Sequence, residues 1–501
     1  MLYPPKAITA IALASLASFS SAQTPPAEQS TAFNSSFALT PAQIAAANLS
    51  AADVASLNNI VRFDRSQLAN GGPNEDDFYT LPPLTRNTTG PLQPGTLLKT
   101  QAFTDPSAFV IPPNTALSRI LYTTRTYNGT VVPASAFILW PFTPRHVATT
   151  AGNQRDGQKQ TYFAAKSAGA PVVLWSHGTS GFFASAAPSS HRALWYGDAA
   201  PFTLALAGYA VVAPDYAGLG ISKTWGDKNN SGANNIPHQY LMSRVSARDG
   251  LYALRKLDER FVAMGHSQGG GVAWGVAEVL EEPEGKKEFG DLAPGYRGTI
   301  AGSPSTQVFT GWPSIIAPFI SLGIGSVFPS FKLADWFTPA GAARVELAAQ
   351  QLFLGDGAAG LLQEGWNETW YAEAYSKLAD AGRRPLRGPM LVLQGTEDIY
   401  VPYSVTNASV AATCAASPDS GLEFLVVNGT GHVPTLHATR QIWLGWIQDR
   451  FEGKPAATRG NGCKRTELDS FLPVEQYLKV GNAFAQWAGA PEYNYQVPLG
   501  P

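Results

Sequence analysis

The sequence predicts an α/β fold with a central, mostly parallel β-sheet, a helical cap insertion and an N-terminal extension. Among the 501 residues, 45% are hydrophobic and 14% are charged, which supplies a large core. From about residue 119 onward, short apolar runs alternate with helical stretches, as expected of a sheet covered by helices on both faces. An aromatic-rich stretch without strand periodicity, residues 303–385, interrupts this alternation.

Charge and composition exclude several classes of partner and cofactor. The 35 Lys and Arg residues nearly balance the 37 Asp and Glu residues, and no basic cluster marks a nucleic-acid surface. Two distant cysteines without paired histidines do not supply a zinc site, and no metal or organic cofactor is expected. The apolar runs are too short to cross a bilayer, so no transmembrane span is expected.

Residues 1–22 have the pattern of a signal peptide. Lys6 precedes an apolar stretch, and small residues before Gln23 suit cleavage by signal peptidase. The alternative is an N-terminal membrane anchor, for which the apolar stretch falls short of the roughly 20 residues required. The sequence therefore predicts a secreted, extracellular protein.

A secreted protein can carry N-linked glycans and disulfide bonds, so secretion bears on the sequons and on the cysteines. An oxidising compartment favours a disulfide between Cys414 and Cys463, the only thiols. Glycosylation is predicted at the Asn-X-Ser/Thr sites, which are Asn34, Asn48, Asn87, Asn128, Asn229, Asn367, Asn407 and Asn428. The alternative is that several sequons are buried or unused, and Asn428 is then the first expected to be so, because it lies beside a motif described below.

The predicted organisation follows the changes in pattern along the chain. A polar, turn-rich extension wraps the core, the core is split into two parts by the cap, and a tail ends the chain. The corresponding ranges are 23–117 for the extension, 118–302 for the first part of the core, 303–385 for the cap and 386–501 for the second part with the tail. The predicted strands are 120–126, 131–140, 171–175, 209–213, 261–264, 390–393 and 422–427.

The segment Gly265-His266-Ser267-Gln268-Gly269 fits the pattern G-x-S-x-G between a predicted strand and a predicted helix. This pattern predicts a sharp strand-to-helix turn that exposes Ser267 as a nucleophile, while the flanking glycines permit neighbouring segments to approach closely. His266 and Gln268 are interpreted as wall residues.

A serine nucleophile requires a general base that is oriented by a carboxylate. His432 follows a predicted strand and is favoured as the base, and Asp398 follows the preceding strand and is favoured as the acid. The chain order Ser267, Asp398, His432 is typical of this arrangement. His437 remains an alternative base and Glu397 an alternative acid.

Acyl transfer also requires donors for the developing oxyanion. Ser176-His177-Gly178-Thr179 follows a predicted strand and matches the His-Gly-x loop of many esterases. The backbone N–H groups of Thr179 and Gln268 are therefore the predicted oxyanion donors, with His177 fixing the loop through a hydrogen bond. Three histidines without such placement are interpreted as surface or core residues: His146, His191 and His238.

With these motifs, most of residues 95–465 resemble the secretory lipase family of secreted α/β-hydrolases, which includes Candida-type lipase A and bacterial relatives. The resemblance implies an α/β-hydrolase fold with a cap over the active site and a triad of Ser267, Asp398 and His432. It also implies the disulfide between the two cysteines. Ala186 stands where several relatives have a further Cys.

The resulting expectation is a carboxylic-ester hydrolase of lipase or esterase type that forms an acyl-enzyme on Ser267. Small-molecule or lipid esters are the expected substrates, with contact to a lipid–water interface through the cap. A secreted acyltransferase with the same triad is the main alternative. A peptidase and a non-catalytic binding protein on the same scaffold are weaker alternatives.

Overall fold

The computed structural model describes most of the chain in eight stretches. These are residues 35–84, 92–145, 170–225, 235–255, 260–310, 317–351, 360–456 and 463–469. The predictions for the signal peptide, for His146 and for the sequons at Asn34, Asn87 and Asn229 lie outside these residues. Within them, no helix combines the length and apolar character needed to cross a membrane.

One sheet of ten strands organises the described part of the chain, in the order β1-β2-β3-β5-β4-β6-β7-β8-β9-β10. The pairs β1–β2, β2–β3 and β3–β5 are antiparallel. All pairs that follow in this order, from β5–β4 to β9–β10, are parallel. The predicted mostly parallel sheet is thereby confirmed. The strands are β1 Leu97–Gln101, β2 Thr115–Arg125, β3 Val131–Pro141, β4 Val172–Ser176, β5 Ala210–Pro214, β6 Phe261–His266, β7 Tyr296–Gly302, β8 Met390–Gly395, β9 Leu422–Asn428 and β10 Lys464–Asp469.

Helices cover both faces of this sheet. Alternate residues of β4 point into different hydrophobic clusters: Leu174 packs with α4 and α5 on one face, and Trp175 packs with α3 and α12 on the other. In the described residues the α-helices are α1 Pro41–Ala46, α2 Ala51–Ser66, α3 Pro201–Leu206, α4 Ser243–Leu254, α5 Gln268–Val279, α6 Pro283–Glu288, α7 Ala317–Val327, α8 Pro339–Gln351, α9 Trp370–Ala379, α10 Tyr403–Ala416, α11 His432–Ala438 and α12 Arg440–Phe451.

All seven predicted strands are present, and three further strands were not predicted. β7 contains two glycines and an arginine, so it lacks the apolar run typical of a buried strand. β1 and β10 lie at the two edges of the sheet and carry polar side chains. Edge strands have a weak sequence signal because only part of their surface is buried.

The stretch predicted as a helical cap contains α7, α8 and α9, whose apolar side chains form one hydrophobic cluster with Tyr240, Leu241 and Met242. Trp336 is fully buried at its centre, with the rings of Phe331 and Trp366 at 5.3 and 4.8 Å between centroids. Arg344 of α8 donates hydrogen bonds to the carbonyl groups at the end of α1, of Ala47 and Asn48. The N-terminal helices therefore contact the cap.

Cys414 at the end of α10 is bonded to Cys463 before β10, with 5.8 Å between the Cα atoms. The predicted pairing is present. The bond attaches the edge strand β10 to a helix that packs on the sheet.

Replacing both cysteines by serine should lower the free energy of unfolding. The bond closes a loop with a sequence separation of 49 residues, for which the loop-entropy relation gives about 4 kcal/mol. Chemical denaturation of wild type and of Cys414→Ser/Cys463→Ser measures this difference, and reduced wild type serves as the control. Equal midpoints for the oxidised wild type and the double variant would contradict the expectation.

Candidate active site

Three strand ends bring the predicted site residues to one edge of the sheet. Ser267 directly follows β6, Asp398 lies in the loop after β8, and His432 begins α11 after β9. These strands are parallel neighbours of one another through β7, so their carboxyl ends lie on the same side. In open α/β sheets this is the edge at which ligands bind.

The backbone of Ser267 is strained, with φ 60° and ψ −122°. This residue caps the N-terminus of α5 and is partly exposed. A Cβ atom on Gly269 would lie 1.9 Å from the Ser176 carbonyl oxygen, and one on Gly265 would lie 2.0 Å from the Gly269 oxygen. Only glycine fits at these two positions, because the turn packs directly on neighbouring backbone.

A buried carboxylate orients the imidazole of His432. Asp398 Oδ2 accepts from His432 Nδ1 at 2.7 Å and from the amide of Gln394 at 3.1 Å. Its Oδ1 accepts from the backbone N–H groups of Tyr400 and Val401 at 3.0 and 2.8 Å. Because Nδ1 of His432 holds its proton in this bond, Nε2 is left as the proton acceptor.

His266 connects His432 to the turn that holds Ser267. Its Nε2 lies 3.1 Å from the His432 carbonyl oxygen, which only accepts, so Nε2 carries the proton and Nδ1 accepts from the hydroxyl of Tyr196 at 3.0 Å. Burial holds the pKa of His266 well below its usual value, which keeps the ring neutral. The ring centroids of His266 and His432 lie 4.5 Å apart, and His266 directly precedes Ser267 in the chain.

In the described part of the chain the Ser267 hydroxyl makes no hydrogen bond. The hydrogen bond between a catalytic serine and its histidine is commonly long without substrate and tightens when substrate binds.

The predicted oxyanion donors follow the carboxyl ends of the neighbouring strands β6 and β4. The N–H of Gln268 belongs to the first turn of α5, and the N–H of Thr179 lies in the loop after β4. Among the described residues, neither N–H donates to a backbone carbonyl group. Both are therefore free to bind an anionic oxygen.

His177 is fixed within that loop. Its Nδ1 lies 2.8 Å from the Gly178 oxygen, and its ring stacks on Tyr216 with 4.2 Å between centroids. The Tyr216 hydroxyl donates to the His177 carbonyl oxygen at 2.9 Å. Burial lowers the pKa of His177 to about 3, so the ring is neutral. These contacts agree with the predicted loop-fixing role.

The two alternative residues are placed differently. Glu397 is exposed, whereas its neighbour Asp398 is buried against His432. His437 lies at the far end of α11, where Nδ1 accepts from Arg440 at 2.7 Å. The geometry therefore favours Asp398 and His432 over both alternatives.

A family model of the alpha/beta hydrolases matches residues 172–442, more than half of the chain. The chain belongs to the alpha/beta hydrolase family. Lipase 10 of Candida albicans is 30% identical to this hydrolase over 287 residues, which is 52% of this chain and 58% of Lipase 10. Lipase 5 of the same organism is 25% identical over 315 residues, 59% of this chain and 65% of that protein. The hydrolase thus spans less than two thirds of each of these relatives.

Solved structures share the fold of this hydrolase. Candida antarctica lipase A in its closed state superimposes with a TM-score of 0.57 and 15% identity, covering 86% of this chain and 99% of that chain. At this identity the similarity establishes the fold alone.

Several residues around the site of the hydrolase were not predicted from its sequence. Gln394 and Tyr196 contact Asp398 and His266 respectively. His238, predicted to be a surface or core residue, is a buried core residue whose two ring nitrogens both have partners; the contact of its Nε2 with the side chain of Gln268 is what the sequence does not indicate. Tyr196 and His238 acquire their contacts through tertiary packing, across 70 and 30 residues, whereas Gln394 lies four residues before Asp398 but has no recognised motif of its own.

Proposed function

We propose that this hydrolase is a serine carboxylic-ester hydrolase of lipase or esterase type that acts through an acyl-enzyme on Ser267. One observation carries the proposal: the Asp398 carboxylate holds His432 at 2.7 Å, beside the strained turn that exposes Ser267. The resemblance to Candida lipases supports the choice of an ester as substrate.

In the first half-reaction, His432 Nε2 takes the proton of Ser267 as Oγ attacks the ester carbonyl carbon. The N–H groups of Thr179 and Gln268 bind the oxyanion of the tetrahedral intermediate. His432 then gives the proton to the leaving alcohol as the C–O bond breaks. Asp398 stabilises the imidazolium that exists between these two steps.

In the second half-reaction, water replaces the alcohol. His432 takes a proton from water, the resulting hydroxide attacks the acyl carbon, and Ser267 leaves with the proton returned by His432. The products are a carboxylic acid and the free enzyme. An alcohol that replaces this water gives ester exchange, which is the acyltransferase alternative.

The cap is proposed to contact the substrate or its lipid phase. Trp370 at the start of α9 is 57% exposed, and its ring lies 4.1 Å from that of Tyr371 and 5.3 Å from that of Phe328. Aromatic side chains of this kind favour the boundary between water and apolar phases. Lipid esters and smaller esters are both compatible with this surface.

Rapid quenching of a p-nitrophenyl ester reaction tests the proposal. We expect a burst of p-nitrophenol and a mass increase of one acyl group on the peptide that contains Ser267. A panel from acetate to palmitate reports chain-length preference, and added alcohols report transfer through new ester products. Acylation of a different residue, or turnover without any acyl-enzyme, would reject the mechanism.

Secretion and glycosylation are proposed as well, with residues 1–22 removed. The sequons at Asn48, Asn128 and Asn367 are exposed, whereas Asn428 is partly buried and donates its side-chain amide to Asp469 at 3.1 Å. We therefore expect glycans at the three exposed sites and none at Asn428. Glycopeptide mass spectrometry of protein from a eukaryotic secretion host checks this, and a glycan on Asn428 would contradict it.

A further inference from the structure

One short segment, residues 238–240, contacts the side chains of both proposed oxyanion-donor residues. His238 Nε2 lies 3.0 Å from Gln268 Nε2, and the Tyr240 hydroxyl lies 2.8 Å from Thr179 Oγ1. We propose that His238 and Tyr240 are positioning residues that fix the placement of the two oxyanion donors relative to each other. This inference rests on the proposed function.

The contact to Gln268 has a defined direction. His238 Nδ1 lies 3.2 Å from the carbonyl oxygen of Ala217, which only accepts, so Nδ1 carries the proton. Nε2 therefore accepts from the side-chain amide of Gln268. Burial lowers the pKa of His238 to about 4, which keeps the ring neutral and preserves this acceptor. His238 thus holds the side chain of Gln268, the residue whose backbone N–H is one of the two proposed donors.

The same histidine is connected to the other donor loop through stacked rings. His238 lies parallel to Tyr216, with 5.9 Å between centroids and 7° between planes. Tyr216 in turn stacks on His177 at 4.2 Å. His177 is two residues before Thr179, so the three rings connect His238, which bonds the Gln268 side chain, to the loop that carries Thr179.

Tyr240 holds the second donor residue directly. Its hydroxyl bonds Thr179 Oγ1, and its ring packs edge-on against Phe182 with 4.9 Å between centroids. Tyr240 is itself buried. Both contacts restrict the loop that carries the Thr179 N–H.

Two cap helices hold Tyr240 in turn. Tyr375 of α9 donates a hydrogen bond from its hydroxyl to the Tyr240 carbonyl oxygen. Phe319 of α7 lies 6.4 Å from the Tyr240 ring and stacks on Phe182 at 5.3 Å with 7° between planes. The placement of the donors is therefore connected to the packing of the cap as well as to the sheet.

Donors in an oxyanion hole act on the transition state, so a displaced donor lowers kcat more than it raises KM. Removing a whole donor costs about 100- to 1,000-fold in kcat. For Tyr240→Phe and His238→Leu, which leave both N–H groups in place, we expect a loss of about 10- to 100-fold with KM changed less than about threefold.

Kinetics on p-nitrophenyl acetate test the inference, because its short acyl group keeps changes in acyl-chain binding out of the measured kcat. Tyr296→Phe is the matched control: it removes a buried hydroxyl at the start of β7, at the end of the sheet opposite Ser267, where it donates to the Arg387 carbonyl oxygen at 3.0 Å, and kcat should be unchanged. His238→Gln, which restores an acceptor toward Gln268, should recover part of the kcat lost in His238→Leu. Tyr240→Phe removes a single oxygen atom, and the thermal unfolding of this variant is measured together with its kinetics.

Two results would overturn the inference: wild-type kcat in both Tyr240→Phe and His238→Leu, or a raised KM with unchanged kcat. An equal loss in His238→Gln and His238→Leu, accompanied by a lower unfolding temperature, would assign His238 a structural role and also reject it. Turnover that persists in Ser267→Ala would reject the proposed function instead, so the two failures are distinguishable.

Discussion

Ser267→Ala should lower kcat for p-nitrophenyl esters by about 10⁵- to 10⁶-fold, because the nucleophile and its base act as one unit. Residual turnover would come from the oxyanion donors and from substrate binding. Fluorophosphonate labelling should be lost together with turnover. Steady-state kinetics and active-site labelling measure the two effects independently.

This variant should keep its fold. In the described structure the Ser267 hydroxyl makes no hydrogen bond, and alanine retains the Cβ atom that the turn already accommodates at φ 60°. Thermal unfolding should therefore match wild type. Retained labelling at another serine in Ser267→Ala would show that the nucleophile has been misassigned.

Asp398→Asn should lower kcat by about 10⁴-fold with little change in KM. An asparagine amide donates to His432 Nδ1 and leaves the imidazole proton on Nε2, which then cannot accept the proton of Ser267. The side chain stays the same size, and Oδ1 still accepts from the N–H groups of Tyr400 and Val401. The loss of kcat in Asp398→Asn therefore measures the effect of moving the His432 proton from Nδ1 to Nε2.

Glu397→Gln provides the matched control for Asp398→Asn. It makes the same chemical change one residue earlier, on an exposed side chain, and its kcat should stay within about twofold of wild type, as expected for a surface substitution. A large loss in Glu397→Gln together with a small loss in Asp398→Asn would identify Glu397 as the orienting acid.

The sequence predicted the features of this hydrolase that depend on local pattern. The glycines around Ser267 mark a turn that only glycine accommodates, and they can be recognised without knowing which segments approach them. The buried strands are equally local, since a run such as β5 has to be apolar on both faces. The His-Gly-x pattern similarly locates the loop that holds Thr179.

Features that depend on distant partners could not be predicted. The bond between Tyr196 and His266 joins positions 70 residues apart, and the bond between Gln394 and Thr406 braces the Asp398 loop from α10. His238 shows the limit most clearly, because nothing near it in sequence indicates that its partner will be Gln268. Such pairs are determined by how the helices and loops pack on the sheet.

The polar edge strand β10 has a consequence for the solubility of the folded protein. It pairs with β9 along its full length and presents Lys464, Arg465, Glu467 and Asp469 to solvent. Charged side chains on an outer strand discourage a second molecule from adding its own strand there. Because β10 covers its edge, the apolar strand β9 is not exposed to pairing with a second molecule. The disulfide between Cys414 and Cys463 keeps β10 close to β9 when this edge of the sheet opens locally.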